Sequence, residues 1–117
     1  LQTHHTPLSV YHYVVQRYGF LPDMTPVERT FDSFKVHWPE RAYLYPPYSR
    51  AEAWVAKVQG EVQSGRVKLC VALISTWFKN QLKDEAEIIP LYDTSMFKNL
   101  GWYDRLGSML VVWDKRN

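Results

Sequence analysis

Apolar residues recur at the three-to-four-residue spacing of a helix in two parts of the chain. The first predicted helix begins at the Thr6–Pro7 pair, with the threonine as N-cap, and ends at Gly19. The second begins at a capping box formed by Ser49 and Glu52 and ends at Gly65. The apolar faces consist of Leu8, Tyr11, Val15 and Tyr18 in the first helix, and of Ala51, Trp54, Val55, Val58 and Val62 in the second.

Short apolar runs without helical spacing predict four strands. Residues 41–45, "RAYLY", form a short buried strand that must end at Pro46, because proline has no amide hydrogen to donate. Residues 67–74, "VKLCVALI", are uninterrupted, which is typical of a strand covered on both faces in a parallel sheet. Residues 86–92, "AEIIPLY", contain a proline and predict a peripheral strand, and residues 108–113, "SMLVVW", predict a final buried strand.

Strands and helices alternate along the chain, with a further short capped helix in "STWFKNQLKD". This order predicts an open α/β sheet with helices on its faces, connected by right-handed crossovers. A length of 117 residues suits one domain, 1–117. Because the sequence begins with Leu1 and ends directly after an apolar run, we expect this domain to be excised from a longer chain.

Composition excludes only a few classes of function and partner. Fourteen basic and twelve acidic residues give a net charge of +2, which neither requires nor excludes a polyanionic partner. The single cysteine, Cys70, cannot form an internal disulfide and favours an intracellular protein. No apolar stretch approaches the roughly 18 residues that span a bilayer, so a membrane partner is not expected. The four histidines are too scattered to predict a metal site.

The turn Tyr45-Pro46-Pro47-Tyr48 is the candidate site. Ligands of open α/β sheets bind outside the carboxyl ends of the strands, and this turn lies between a predicted strand end and a helix start. Two consecutive prolines hold their carbonyls at fixed angles. Such carbonyls can accept hydrogen bonds from an amine while the ring of Tyr48 stacks on a flat base.

This turn resembles the (Asn/Asp/Ser)-Pro-Pro-(Tyr/Phe/Trp) motif of S-adenosylmethionine-dependent amino-methyltransferases. An ordered series of motifs is similar to the phage-type, or Dam-like, DNA adenine methyltransferases over most of the chain. The series consists of "HTPLSVYHYV", "YGFLPD", "YPPYSRAEAWVAKV", and "VALIS" followed by "TWF". The resemblance implies a three-layer Rossmann-like methyltransferase-type sheet, here small or truncated.

The resemblance also implies roles for individual residues. The catalytic motif would be Tyr45, Pro46, Pro47 and Tyr48, and the residues near S-adenosylmethionine would be Asp23, Thr6 and Pro7. In the family, the residue before the prolines supplies a side-chain oxygen that holds the target amine together with the first proline's carbonyl. The phenol of Tyr45 is too long to place its oxygen there, and a misplacement of about 1 Å can cost about 100-fold in rate. We therefore expect methyl transfer to be lost.

Three functional hypotheses follow. The first is a divergent, inactive methyltransferase-like domain, binding no cofactor, that serves as a nucleic-acid or protein interaction module. DNA or RNA would contact Tyr48, Arg41, Arg50 and Lys57, although a solvated helix face explains the same cations. The second is an active adenine amino-methyltransferase that uses S-adenosylmethionine. The third is a scaffold domain that meets a protein partner through the apolar loop 92–107, with the contact residues Phe97, Trp102 and Tyr103.

Overall fold

The computed structural model describes residues 6–25, 32–93 and 107–116 of the chain. These ranges form a mixed α/β fold. Its elements are α1 (Leu8–Tyr18), β1 (Arg41–Leu44), α2 (Ala51–Gln63), β2 (Leu69–Ser75), α3 (Lys79–Leu82), β3 (Glu87–Pro90) and β4 (Ser108–Asp114). Short 3₁₀ turns occupy Tyr48–Arg50, Thr76–Phe78 and Leu91–Asp93.

The strands form one sheet in the order β1-β2-β4-β3. β1 pairs in parallel with β2, so that Leu44 lies opposite Ala72, and α2 connects the two strands. β4 is antiparallel to both β2 and β3. The prediction of a parallel sheet is therefore correct only for β1 and β2, because β4 returns from the edge strand β3 and enters the sheet between β3 and β2.

Two hydrophobic clusters lie on opposite faces of the sheet, because alternate strand residues point to opposite sides. One cluster joins α2 to Ala42, Leu44, Cys70, Ala72, Ile74, Met109, Val111 and Trp113. The other joins α1 to Tyr43, Leu69, Val71, Leu73, Leu110 and Val112. Helix α1 buries Val10, Val14 and Tyr18, so the predicted apolar face of this helix is wrong at Leu8 and Tyr11, which are exposed. All residues of β2 from Leu69 to Ile74 are buried, which confirms the prediction that this strand is covered on both faces.

The edge position of β3 is also confirmed. Its Pro90 lies opposite Met109, at the end of the pairing with β4. A proline at this place removes no hydrogen bond from the interior of the sheet. The sequence therefore predicted both the existence and the peripheral position of this strand.

For both helices the predicted C-terminal glycine is correct, but the predicted N-terminal cap is wrong. Gly19 and Gly65 have φ angles of 79° and 85°, which favour glycine after a helix. Helix α1 begins at Leu8 with Pro7 as its N-cap, while the Thr6 hydroxyl bonds the Tyr43 phenol instead of capping. Helix α2 follows a 3₁₀ turn and has no side-chain cap, so the capping box predicted before it is not formed.

A buried carboxylate holds the connection before β1 against α2. Glu61 accepts hydrogen bonds from the Trp38 amide at 2.7 Å and from the Arg66 guanidinium at 2.8 and 2.9 Å. Burial alone would raise the pKa of Glu61. The hydrogen bonds from Arg66 and Trp38, and the charge of Lys57 3.8 Å away, outweigh burial and lower that pKa. This charged group therefore has a structural role and is not a candidate acid or base.

Within the described ranges, no helix is long and apolar enough to cross a membrane.

Replacing Trp54 by alanine tests the assignment of the α2 face. Trp54 is 2% exposed and packs against the tilted ring of Phe34 with a ring-centroid distance of 4.4 Å. Truncation leaves a large cavity, so we expect the free energy of unfolding to fall by about 3–5 kcal/mol in urea denaturation. The control Gln63→Ala, on the exposed end of the same helix, should stay within about 0.5 kcal/mol of the parent chain. Equal stabilities of the two variants would show that the helix face is assigned incorrectly.

Candidate functional site

The Pro-Pro turn lies at the carboxyl edge of the parallel strand pair. β1 ends at Leu44, and the neighbouring β2 ends at Ser75. Because parallel strands have their carboxyl ends at the same edge, the turn after β1 and the turn after β2 are neighbours. Pro47 is extended, with φ −64° and ψ 148°, and it directs the chain into the 3₁₀ turn that precedes α2. The predicted location of the turn, between a strand end and a helix start, is confirmed.

Asp23 reaches the same edge because its segment extends the sheet beyond β1. The Met24 amide donates to the Tyr43 carbonyl at 2.9 Å, and the Tyr43 amide donates to the Pro22 carbonyl at 2.8 Å. These bonds form an isolated parallel bridge between Asp23 and Tyr43. The chain segment after Asp23 therefore runs alongside the chain segment after Tyr43.

Thr25 links Asp23 to the Pro-Pro turn. The Asp23 carboxylate accepts hydrogen bonds from the Thr25 amide at 2.7 Å and from the Thr25 hydroxyl at 2.9 Å. The oxygen of the same hydroxyl accepts a hydrogen bond from the Tyr45 amide at 2.6 Å. Thr25 was not among the predicted site residues. A threonine two residues after an aspartate is typical of a local side-chain turn, and that signal was available.

Burial shapes the ionisation of this cluster. Desolvation raises the pKa of Asp23, and the hydrogen bonds from Thr25 offset only part of that rise. Desolvation also raises the pKa of the Tyr43 phenol far above its ordinary value, and the nearby Asp23 and Tyr45 raise it further. The phenol shares a 2.8 Å hydrogen bond with the Thr6 hydroxyl. Tyr43 is therefore neutral at physiological pH and unsuited to act as a base.

Thr6 and Asp23, both expected near a cofactor, lie around one buried tyrosine. Pro7, the third residue of that set, is the N-cap of α1 and is half-buried.

Tyr45 is half-buried and packs against the hydrophobic cluster on the α1 face of the sheet. The cavity beside Tyr45 and Pro46 has a volume of about 10 Å³. That is the space of a single water molecule.

A larger cleft borders the same turn. Its volume is about 250 Å³. Its walls include two exposed aromatic rings, Tyr48 and Trp77, which are 67% and 71% exposed. The other residues that line it are Ala51, Glu52, Ser75 and Phe78. Trp77 was not among the predicted site residues, although adjacent Trp77 and Phe78 cannot both face the core from a short turn.

The three cations expected to contact nucleic acid are not brought together. Arg50 lies beside the turn, with its guanidinium carbon 5.0 Å from the centre of the Phe34 ring. Arg41 begins β1, about 13 Å of strand from the turn, and donates to the Tyr18 carbonyl. Lys57 donates to the Val36 carbonyl at 3.0 Å, about 10 Å along α2 from Arg50. Arg50 is therefore the member of this set that is adjacent to the exposed Tyr48.

Two further expectations concern other parts of the chain. Phe97, Trp102 and Tyr103, expected to meet a protein partner, lie outside the described residues. Across ranges 6–25, 32–93 and 107–116, no group of three or more histidine, cysteine, aspartate or glutamate side chains is placed to hold a metal ion.

Comparisons with protein-family models, with curated proteins and with solved structures find no match for this chain. Functional assignment therefore depends on the residues at this edge and on the motif resemblance.

Removing the Thr25 hydroxyl tests the link between Asp23 and the turn. In Thr25→Val the shape is retained, but the half-buried Tyr45 amide loses its acceptor, so we expect a loss of about 1–3 kcal/mol in the free energy of unfolding. Thr25→Ser keeps the hydroxyl and should lose less than about 0.5 kcal/mol. Urea denaturation measures both variants. If the serine and valine variants were equally stable, the hydroxyl would not hold the turn.

Proposed function

We propose that the chain is a divergent methyltransferase-type domain that has lost methyl transfer and acts as a nucleic-acid interaction module. Its binding surface is the carboxyl edge of β1 and β2, where the Pro-Pro turn presents Tyr48 to solvent. In this proposal the sheet, with α1 and α2 against opposite faces, is a small three-layer Rossmann-like arrangement located inside the cell.

The arrangement around the turn supports the methyltransferase-type assignment. Three motifs that are far apart in the sequence contribute Thr6, Asp23 and Tyr45, and these residues meet at one edge of the sheet through the bonds of Tyr43 and Thr25. A proline turn that served only to connect a strand to a helix would not need Thr6 and Asp23 beside it. This convergence is the observation that carries the proposal, because it joins the ordered motifs at the place where open α/β sheets bind ligands.

The space at Tyr45 supports the loss of transfer. Pockets for drug-sized ligands occupy roughly 300–1,000 Å³. The described residues beside Tyr45 and Pro46 enclose about 10 Å³. A residue with a short carboxamide would leave more room than the tyrosine ring and would carry its oxygen closer to the first proline. The present side chain is suited to filling this space and not to aligning an amine.

The exposed rings support a binding role. Tyr48 is 67% exposed and follows two prolines whose restricted backbone angles fix the direction of the chain that leads to it. Base-aromatic stacking contributes about 1–3 kcal/mol per base and tolerates any sequence, because every base has a flat face. Arg50, two residues later and exposed, is placed beside the turn for a phosphate contact.

An active S-adenosylmethionine-dependent adenine amino-methyltransferase is the second candidate. The observation that favours it is the same convergence of Thr6, Asp23 and the turn. The two functions differ in cofactor binding: an enzyme must bind S-adenosylmethionine, and a pure interaction module need not.

Calorimetric titration with S-adenosylmethionine separates these candidates. We expect the parent chain to give no saturable heat with millimolar ligand, because the tyrosine ring fills the space beside the first proline. In Tyr45→Asn the ring is removed, and weak saturable binding should emerge. Tyr11→Ala, which removes an exposed tyrosine from α1, is the matched control and should behave like the parent chain. Micromolar binding by the parent chain would instead favour the active enzyme.

A further inference from the structure

The two exposed rings of the 250 Å³ cleft belong to equivalent places in the fold. Tyr48 begins the 3₁₀ turn that leads from β1 to α2, and Trp77 lies in the 3₁₀ turn that leads from β2 to α3. Since β1 and β2 are parallel neighbours, both turns open at the same edge of the sheet. One cleft therefore receives an aromatic ring from each strand end.

Trp77 is held in place although its side chain faces solvent. Its amide donates to the Ser75 hydroxyl at 3.1 Å, which caps the turn. Its ring stands edge-on to Phe78, with a centroid distance of 5.1 Å and an interplanar angle of 88°. Phe78 is 3% exposed and belongs to the hydrophobic cluster on the α2 face. A ring fixed in this way loses little conformational entropy when a ligand stacks on it.

The size and polar groups of the cleft restrict what can enter. About 250 Å³ is below the range of drug-sized pockets and suits one flat ring system. Glu52, exposed in the first turn of α2, offers an acceptor to an amine at the ring's edge. Among the bases, adenine, cytosine and guanine carry an exocyclic amine, whereas thymine has none and presents carbonyl oxygens instead.

Charge near the two rings favours a ligand that carries phosphate. Arg50 follows Tyr48 by two residues, and Lys79 follows Trp77 by two residues; both cations are exposed. Cations flanking an aromatic surface are the pattern of single-stranded nucleic-acid sites, in which bases stack and phosphates meet basic residues. A cationic peptide side chain could also stack on aromatic rings near a carboxylate, but the flanking cations would repel it.

We propose that this cleft holds one unpaired nucleobase, that Trp77 supplies the second stacking surface beside Tyr48, and that Glu52 selects bases with an exocyclic amine. This inference rests on the proposed nucleic-acid function. It adds a base-stacking role for Trp77 and the preferred class of base. The substrate is single-stranded, since a paired base cannot enter a cleft of this kind without leaving its stack.

Fluorescence anisotropy with fluorescein-labelled oligo(dA) and oligo(dT) at low salt tests the stacking surface. We expect Trp77→Ala and Tyr48→Ala each to weaken oligo(dA) binding about 5- to 150-fold. Phe20→Ala is the matched control, since Phe20 is also 71% exposed but lies beyond the far end of α1, and its affinity should equal that of the parent chain. Because all three side chains are exposed, circular dichroism should show unchanged folding.

The same titrations test selectivity. The parent chain should prefer oligo(dA) to oligo(dT), and Glu52→Gln should reduce that preference, because an amide can donate to thymine as well as accept from adenine. Equal binding of both oligonucleotides by the parent chain would overturn the role of Glu52.

The outcomes separate this inference from the function on which it rests. One outcome is that oligonucleotides bind, that Tyr48→Ala weakens this binding and that Trp77→Ala leaves it unchanged. In that case the nucleic-acid function stands and the two-ring cleft is overturned. If no oligonucleotide binds, both the nucleic-acid function and the two-ring cleft are overturned. Binding of a trimethyl-lysine peptide in the absence of oligonucleotide binding would assign the cleft to a protein partner and would likewise overturn both.

Discussion

The two-sided burial of β2 is the constraint on which the rest of the structure depends. Six consecutive residues, Leu69–Ile74, are buried and alternate between the two hydrophobic clusters. Their burial stabilises the fold by on the order of 10 kcal/mol before entropy is counted, which is comparable with the net stability of a whole domain. A strand buried on both faces needs a helix on each, and α1 and α2 meet that need. The parallel partner β1 is then fixed in register, and with it the place of the Pro-Pro turn.

Much of this frame could be predicted from the sequence. The uninterrupted run at 67–74 identifies a strand covered on both faces, and Pro90 identifies a peripheral one, because each pattern has a direct physical cause. Glycines at 19 and 65 stop their helices for the same kind of reason. The antiparallel insertion of β4 was not predicted, since pairing direction depends on distant partners and leaves no mark in a short apolar run.

The candidate site was predicted in its location and only partly in its composition. A strand end followed by Tyr45-Pro46-Pro47-Tyr48 is visible in the sequence. Thr6 was expected to cap a helix, but a hydrogen bond to the Tyr43 phenol, 37 residues away, takes its hydroxyl instead. Trp77 was missed because its exposure follows from the cap at Ser75 and from the burial of Phe78, which occupies the inward position of the turn. Contacts between distant segments decide these features, and local patterns do not encode them.

The tryptophan indoles provide the most direct test of the central claim, that the edge beside the Pro-Pro turn binds nucleic acid. Trp38, Trp54 and Trp113 are at most 4% exposed, whereas Trp77 is 71% exposed. Titration of ¹⁵N-labelled protein with short single-stranded DNA should shift the Trp77 indole signal progressively to saturation and leave the three buried indoles unchanged, with Trp77→Phe identifying the signal. An unmoved Trp77 signal while the DNA is bound would contradict the claim, because binding would then occur elsewhere on the molecule.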